Sequence, residues 1–373
     1  MLITSHDSHL SGDSSQFYAH RLLNTIAGMA KTRSLTRNRN HDNDASSSSS
    51  TRTRFKSSDL NDDVLFIIMM QLGIIDFFAF SGVCKSWRSF AVSKRNTFMA
   101  SKPPMSIGMR KPNKRGWCHL EDFEGKKFKT ILPHFFGRDC IGSTCGYLIL
   151  FGHETRDFWL VNPVTRHELH FPHYPIYVSV TERMKGTLVF SPSISRWVFV
   201  VLYKKISFCI AGKRGWNHVP ATLSIINLLF FKGKIYTLHT DSSLGEVVLK
   251  PEGKWRLLET KNLPNQDLPL PQHQLVFVSS GENLFVIDRS SERETVLELD
   301  FEEMKWVSPE KKTISQYAFF ISYSTISAGV VKPESWLGHQ SLDTGKRQQD
   351  MFNYELTRWY FPHECSHVNL LDE

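Results

Sequence analysis

The 373-residue sequence is poor in the features that mark secreted, membrane-spanning and nucleotide-binding proteins. Its six cysteines form no C-x-x-C pair and no dense framework, which is typical of free thiols in a reducing compartment. No apolar run reaches the ~18 residues that a membrane-spanning helix needs, and the N-terminus lacks the apolar core of a secretory signal. No phosphate-binding glycine loop and no G-x-S-x-G nucleophile motif occurs. The sequence therefore predicts no membrane association and gives no support to nucleotide binding.

Candidate metal ligands and catalytic acids are also scarce. His167, His170 and His173 recur at every third residue, but Pro172 excludes the regular helix that would gather their imidazoles on one face. His, Cys and His alternate at positions 363, 365 and 367 without an evident fourth ligand. Asp and Glu are scattered, so no pair can be nominated for general acid–base chemistry. We therefore expect no metal, no cofactor and no catalysis by this chain.

The formal net charge is +8, and the excess is unevenly distributed. Residues 1–56 contain eight Lys or Arg and four Asp or Glu, which is a net +4 and half of the total. The other half is spread over a much longer remainder, which is weak support for a polyanionic partner. Basic pairs at 204–205 and 213–214 lack a stripe of interleaved aromatic side chains. We therefore predict no nucleic-acid partner.

Residues 1–57 are predicted to form a disordered, basic and serine-rich tail, because the serine run at 46–50 has nothing to bury. Within this tail, small and apolar residues between Ala19 and Ala30 recur at helical spacing. A basic amphipathic helix of this kind occurs in mitochondrial transit peptides, although an acid before it, such as Asp13, is disfavoured there. A solvated tail is the other interpretation. The predicted location is the nucleus or cytoplasm, with the mitochondrion as the alternative.

Residues 58–99 are predicted to form a compact block of short helices. Asp59 can cap a first helix whose first turn carries Asp62 and Asp63, where carboxylates suit the positive end of the helix dipole. Gly73 interrupts the apolar spacing, and Asp76 can cap a second helix. The block is too apolar for three short helices to hide every side chain, which indicates a partner surface. Burial against the following domain is the alternative.

After a predicted linker at 100–114, short β-rich runs separated by turn residues continue along the chain. Turns that end in tryptophan recur at Trp216, Trp255, Trp306 and Trp359, with intervals of 39, 51 and 53 residues. Such a period is typical of one four-stranded propeller blade, and about 255 residues at this period predict roughly six blades. An irregular β-sandwich with the tryptophans in its core is the alternative.

The helical block begins and ends with specific motifs. Ser58–Leu65, and the hexad Val-Cys-Lys-Ser-Trp-Arg at 83–88, resemble the two ends of a plant-type F-box. The family usually has Pro where this chain has Asn61, and because Pro starts a helix without losing a hydrogen bond, Asn61 is expected to loosen the first turn. The resemblance implies docking on a Skp-type adaptor, and through it on cullin and RING subunits. The residues expected to contact the adaptor are Leu60, Val64, Ile68, Leu72, Asp76, Phe77 and Phe80, and those expected to hold the helices together are Val83 and Trp87.

Four stretches of the β-rich region resemble the plant KIB-type β-propeller family, which often follows such F-boxes. They are Gly142–Leu150, Leu160–Arg166, Phe231–Tyr236 and Ser280–Val286, and the Leu-x-Asn-Pro-x-Thr-Arg turn at 160–166 is the sharpest match. The turn also has a local physical basis, because an Asn side chain at 162 can bond the backbone two residues on and Pro at 163 fixes φ. The Thr and Arg that follow are expected to re-enter a strand.

Together the two resemblances imply an α+β fold in separate modules, with a three-helix F-box at 58–99 and an all-β propeller at 115–373. They imply a non-catalytic, substrate-recognition subunit of an SCF-type (Skp, cullin, F-box) E3 ubiquitin ligase, whose propeller binds an unidentified target protein. One alternative is a stand-alone propeller binding protein with a degenerate F-box, which could be organellar. Another is a propeller enzyme, which needs clustered carboxylates that this sequence lacks.

Overall fold

The computed structural model describes residues 60–109, 117–122, 125–178, 184–220, 224–241, 243–249, 253–261, 275–280, 282–288, 295–310, 317–321, 328–331 and 356–362. The predicted tail at 1–57, the Asp59 cap and the His and Cys alternation at 363–367 lie outside these residues. The chain divides between Met99 and Ala100 into two compact units, one with the helices and one with the strands.

Three helices form the first unit: α1 (Asp62–Gln71), α2 (Ile74–Ser81) and α3 (Lys85–Ala100). Gly73 and Gly82 lie at the two breaks: Leu72 and Gly73 have extended backbone angles between α1 and α2, and Gly82 is the C-cap residue of α2. The side chains of Leu65, Met69 and Phe98 are buried, so each helix contributes to, or flanks, one small apolar core. The predicted block of short helices is confirmed.

Five four-stranded antiparallel sheets form the blades of a β-propeller in the second unit. Blade one holds β1 (Met105–Met109), β2 (Trp117–Glu121) and β3 (Lys127–Ile131); blade two holds β4 (Arg138–Thr144), β5 (Tyr147–Gly152), β6 (Phe158–Val161) and β7 (Glu168–Phe171). Blade three holds β8 (Lys185–Ser191), β9 (Arg196–Tyr203), β10 (Lys205–Ile210) and β11 (Asn217–Val219); blade four holds β12 (Ile225–Phe231), β13 (Lys234–His239), β14 (Leu244–Val248) and β15 (Lys254–Leu258). Blade five holds β16 (Leu275–Ser280), β17 (Asn283–Asp288), β18 (Thr295–Asp300) and β19 (Lys305–Val307), and the chain continues with β20 (Ala318–Ile321), β21 (Ala328–Val331) and β22 (Leu356–Tyr360).

The last strand completes the first blade. β22 pairs antiparallel with β1, for example Tyr360 opposite Met105, so strands from the two ends of the domain share one sheet. This pairing covers the edge of β1 that would otherwise be exposed to solvent and to other chains. The structure differs here from the predicted linker at 100–114, because β1 lies within it.

The prediction of six blades is wrong. In the part of the chain that the structure describes, five sheets have four strands, whereas β20 and β21 pair only as a two-stranded sheet. The tryptophan interval predicted one blade too many. The reason is that Trp359, the last tryptophan of the series, does not lie in the fourth strand of a blade. Trp216 directly precedes β11, and Trp255 and Trp306 lie in β15 and β19, each the fourth strand of its blade. Trp359 instead lies in β22, beside β1.

The propeller core lies between adjacent blades. One cluster joins blades three and four through buried side chains such as Val200, Phe208 and Ile235. A second cluster joins blades four and five through Leu238 and Phe277, among others. β-branched and aromatic residues dominate these strands, and they pack well on pleated surfaces that are covered on both sides. The polar loops are therefore left at the two open ends of the ring, which is where a partner can reach them.

Candidate functional site

Helix α1 begins at a side-chain cap. Oδ1 of Asn61 accepts a hydrogen bond from the backbone N–H of Asp63 at 3.2 Å, and Asn61 has the extended φ and ψ of an N-cap residue. Asp62 and Asp63 lie in the first turn, as expected from the helix dipole. Asn61 thus starts the helix with a capping hydrogen bond in place of the proline constraint, and a looser first turn than proline would give stays a prediction.

One face of α1 exposes apolar side chains. Leu60, Val64 and Ile67 are 37%, 43% and 63% exposed. Val64 and Ile67 are three residues apart and so lie on the same side of the helix, and Leu60 precedes the N-cap residue Asn61. Leu65 and Met69, on the other side, are buried. The exposed apolar face, meaning Leu60, Val64 and Ile67, is thus a surface that the helical core does not need.

Three residues predicted to contact the adaptor lie in the core of the helical unit. Leu72, Phe77 and Phe80 are buried. The Phe77 ring stacks on Phe98 with centroids 4.2 Å apart, and the Phe80 ring packs on Trp87 at 4.6 Å, so both join α2 to α3. Such aromatic pairs add packing energy beyond their buried area. Adaptor contact at these three residues stays a prediction.

The other predicted residues of this block divide between surface and core. Ile68 and Asp76 are half-buried, and Asp76 lies in the first turn of α2. Trp87 is buried, whereas Val83 is half-buried in the turn that precedes α3. Ile67 was missed by the sequence analysis, although it continues the helical spacing from Leu60 and Val64. That continuation is the signal that could have identified it.

The Asn-Pro turn of blade two has the predicted side-chain bonds. Oδ1 of the buried Asn162 accepts from the backbone N–H groups of Val164 and Thr165 at 2.9 and 2.8 Å. Its Nδ2 donates to the carbonyl of Gly146 at 2.9 Å, so the β4–β5 and β6–β7 turns lie side by side. Thr165 and Arg166 do not re-enter a strand as predicted, since β7 begins only at Glu168. Arg166 has φ 63° and belongs to the turn.

A polar group on blade two is centred on Asp157. Its carboxylate accepts hydrogen bonds from Arg138 at 3.1 and 3.2 Å, from Trp159 at 3.0 Å, and from Thr155. The His170 Nε2 lies 3.1 Å away. Burial opposes ionisation of Asp157, but the hydrogen bonds from Thr155 and Arg138 and the Arg138 charge outweigh it and lower the pKa of the carboxyl. The arrangement holds the β5–β6 turn against the blade and leaves no free carboxylate for chemistry.

The histidines considered as metal ligands have separate partners. His167 Nδ1 lies 2.7 Å from the Tyr147 hydroxyl, while His170 faces Asp157. Among the described residues, no group of three or more His, Cys, Asp or Glu side chains could hold a metal ion. In the same part of the chain, no helix combines the length and apolar character needed to cross a bilayer.

Comparisons with known proteins identify both units. The F-box domain model matches residues 57–99, and the KIB1-4 beta-propeller model matches residues 118–335, which is more than half of the chain. The chain belongs to the KIB1-4 β-propeller family. Its first unit is an F-box, as the motif at 83–88 predicted. The family has plant members, and the fold after the F-box is the propeller described above.

The similar proteins include one from Arabidopsis thaliana that is named an F-box protein. It is 24% identical over 297 residues, which are 68% of this chain and 74% of that protein. Solved structures include AztD of Citrobacter koseri, at 15% identity and TM-score 0.32, where 54% of this chain is matched to 55% of that one. A Bacteroides caccae protein of unknown function shows 10% identity and TM-score 0.37 over 69% of this chain and 99% of its own.

Proposed function

We propose that this chain is the substrate-recognition subunit of an SCF-type E3 ubiquitin ligase. F-box domains in general bind Skp-type adaptors, and this chain carries an F-box before a propeller. The proposal adds that this F-box binds such an adaptor, that cullin and RING subunits join through it, and that the propeller binds a target protein. The chain makes no covalent bond itself. It raises the effective concentration of a target lysine near the conjugating enzyme.

The observation that carries the proposal is the exposed apolar face of α1. Val64 and Ile67 are 43% and 63% exposed, although the helical core below them is filled by Leu65, Met69 and stacked aromatic rings. Covering such side chains stabilises a complex by about 1.5–3 kcal/mol for each one fully buried. Val64 and Ile67 lie within one turn of the helix, which suits insertion into an apolar groove.

The alternative of a stand-alone propeller with a degenerate F-box rested on Asn61 and on the amphipathic segment of the N-terminal tail. The capping bond from Asn61 to Asp63 supports the ligase proposal instead, since the helix start is stabilised by another means. We propose the nucleus or the cytoplasm as the location, and the mitochondrion remains the alternative because of the basic segment at 19–31. A fluorescent fusion that keeps the N-terminus free distinguishes these locations.

The test is affinity purification of the tagged chain from plant cells, followed by mass spectrometry. We expect a Skp-type adaptor, a cullin and a RING subunit to co-purify with the wild type and to be lost with Leu60→Asp, Val64→Asp. The matched control is Ile131→Asp, which changes an exposed apolar residue of β3 that is 46% exposed. Absence of the adaptor from the wild-type sample, or equal recovery with the double variant, would overturn the proposal.

A further inference from the structure

A long acid-free stretch lies in the middle of the propeller. Residues 183–240 contain nine Lys or Arg and no Asp or Glu. Because the whole chain carries only +8, everything outside this stretch sums to about −1. The stretch covers all of blade three and the first hairpin of blade four. Within residues 100–373, the net positive charge is therefore concentrated in blade three and the first hairpin of blade four.

Several of these cations meet at one end of blade three. The β8–β9 turn at 192–195 and the β10–β11 turn at 211–216 lie together, because Ala211 N–H donates to the Trp197 carbonyl at 2.9 Å. Arg196 Nη1 lies 4.0 Å from the position that a Cβ would have on Gly212. Lys213 and Arg214 follow directly in that turn. Arg196, Lys213 and Arg214, all exposed, form what we name the basic turn cluster.

The positive surface continues onto blade four. Ser193 Oγ in the β8–β9 turn donates to the Leu249 carbonyl at 3.0 Å, which brings the end of β14 beside the cluster. The exposed Lys254 begins β15. At the next blade the sign changes, since Glu302 and Glu303 form a turn whose neighbour Phe301 stacks on Phe231 at 5.7 Å. The cationic surface thus has a defined border.

The positive charge of residues 183–240 affects the pKa of a histidine within the same stretch. Burial and the charge of Lys205 both lower the pKa of His218, on the outer strand of blade three. No carboxylate occurs between positions 183 and 240 to offset this charge. A surface with one sign of charge attracts partners of the opposite sign and speeds their association.

An apolar contact point adjoins the basic turn cluster. Phe190 is 45% exposed, and its neighbour across the hairpin is Trp197. The Trp197 ring packs edge-on against Phe190 at 5.6 Å, and the Trp216 indole donates to the Pro172 carbonyl at 3.0 Å, so both tryptophans belong to the fold. Single-stranded nucleic acid needs exposed flat rings on which bases stack. Arginine beside an aromatic anchor is typical of protein interfaces.

We propose that the basic turn cluster, with Phe190 beside it, binds an acidic, Asp/Glu-rich segment of a protein partner. This inference rests on the proposed function, in which the propeller captures a target, and it names the end of the propeller that does so and the chemistry of the target. Carboxylates of the segment pair with Arg196, Lys213 and Arg214, and an apolar side chain of the segment contacts Phe190.

The test uses the full chain co-purified with a Skp-type adaptor and a fluorescent 20-residue Glu-rich peptide, with binding followed by anisotropy at low and high salt. The variant is Arg196→Gln, Lys213→Gln, Arg214→Gln. The matched control is Lys94→Gln, Lys127→Gln, Lys261→Gln, which removes the same charge from exposed positions outside the stretch. The basic residues at 1–56 are the same in the wild type and in both variants, so they contribute equally to every measured affinity. Single-stranded RNA of similar length is the competing probe.

We expect salt-sensitive peptide binding that weakens about tenfold or more in the cluster variant and is unchanged in the control. Equal weakening in both variants, no peptide binding by the wild type, or tighter binding of RNA than of the peptide would each overturn the inference. Because adaptor retention is scored in the same preparations, a wild type that retains the adaptor but does not bind the peptide rejects this inference alone. Loss of the adaptor rejects the proposed function.

Discussion

The F-box and the propeller expose different kinds of side chain. In the F-box, the core is complete and apolar side chains of α1 remain exposed, with Ile67 at 63%. In the propeller, the apolar residues fill the spaces between blades, and the surface of blade three is charged with one sign. An exposed apolar face suits a permanent, desolvated contact, whereas a charged surface suits a contact that forms quickly and depends on salt. The difference fits the two kinds of partner proposed above for the two parts of the chain.

The largest expected effect is on the F-box core. Phe77→Ala removes a ring that is fully buried and stacked on Phe98, and such truncations cost about 3–5 kcal/mol. A three-helix unit has little stability to lose, so we expect the F-box to unfold and the propeller to remain folded. Hydrogen exchange should show lost protection in α1–α3 and normal protection in β4–β19. Loss of protection in both units would contradict the comparison, because it would make them one cooperative body.

The second effect concerns the Asn-Pro turn of blade two. Asn162→Ala leaves the Gly146 carbonyl and two backbone N–H groups without their side-chain partner, at about 1–3 kcal/mol for buried groups. We expect a lower urea midpoint for the propeller and an unchanged F-box. Asn217→Ala, at an exposed position of β11, is the control and should change the free energy of unfolding by less than about 0.5 kcal/mol. Equal shifts would mean that the turn bonds contribute little.

A third, smaller effect appears with pH. The pKa of Asp157 is lowered in the folded chain relative to its ordinary 3.8, so folding stabilises the ionised carboxylate. That contribution is complete above the unfolded-state pKa and is lost as pH falls below about 4 through the folded-state value. Asp157→Asn should therefore flatten the acid limb of a plot of urea midpoint against pH. Asp139→Asn, at an exposed carboxylate of the same blade, is the control and should reduce the slope of urea midpoint against pH less than Asp157→Asn does. An unchanged slope in Asp157→Asn would refute the claim that Asp157 contributes to stability in its ionised form.

The smallest effect tests the start of α1. Asn61→Ala removes the capping bond to Asp63 and should destabilise the F-box by about 1 kcal/mol, while Asn61→Ser keeps a capping oxygen and should lose less. Thermal unfolding of the helical unit measures both changes. If Asn61→Pro were more stable than the wild type, the proline constraint would outweigh the cap, as the sequence comparison alone had suggested.

Local chemistry made parts of this fold predictable from sequence. The Phe231–Tyr236 hairpin has its turn at Lys232 and Gly233, with φ of 46° and 78°, and glycine in such a turn is a strong local signal. The bonds of Asn162 likewise depend on residues within a few positions. The F-box hexad identified the module because its motif lies within a single helix start.

Features that depend on distant residues could not be predicted. The blade number depends on β22 returning to β1, a pairing that no periodicity reveals. The burial of Phe77 depends on Phe98 from α3, since amphipathic spacing shows that a face is apolar but not which helix covers it. The basic turn cluster was missed because its residues are distant in sequence and meet only through the folding of blade three.

The most direct test of the account measures the affinity of a purified Skp-type adaptor for this chain. We predict that the wild type binds, and that Val64→Asp, Ile67→Asp weakens binding by well over tenfold with no change in thermal stability, because each buried side chain contributes about 1.5–3 kcal/mol and about 1.4 kcal/mol is tenfold. Phe136→Asp, at a propeller residue that is 66% exposed, is the control and should bind like the wild type. Equal affinity of the double variant and the wild type would contradict the claim that the exposed apolar face of α1 is the adaptor surface.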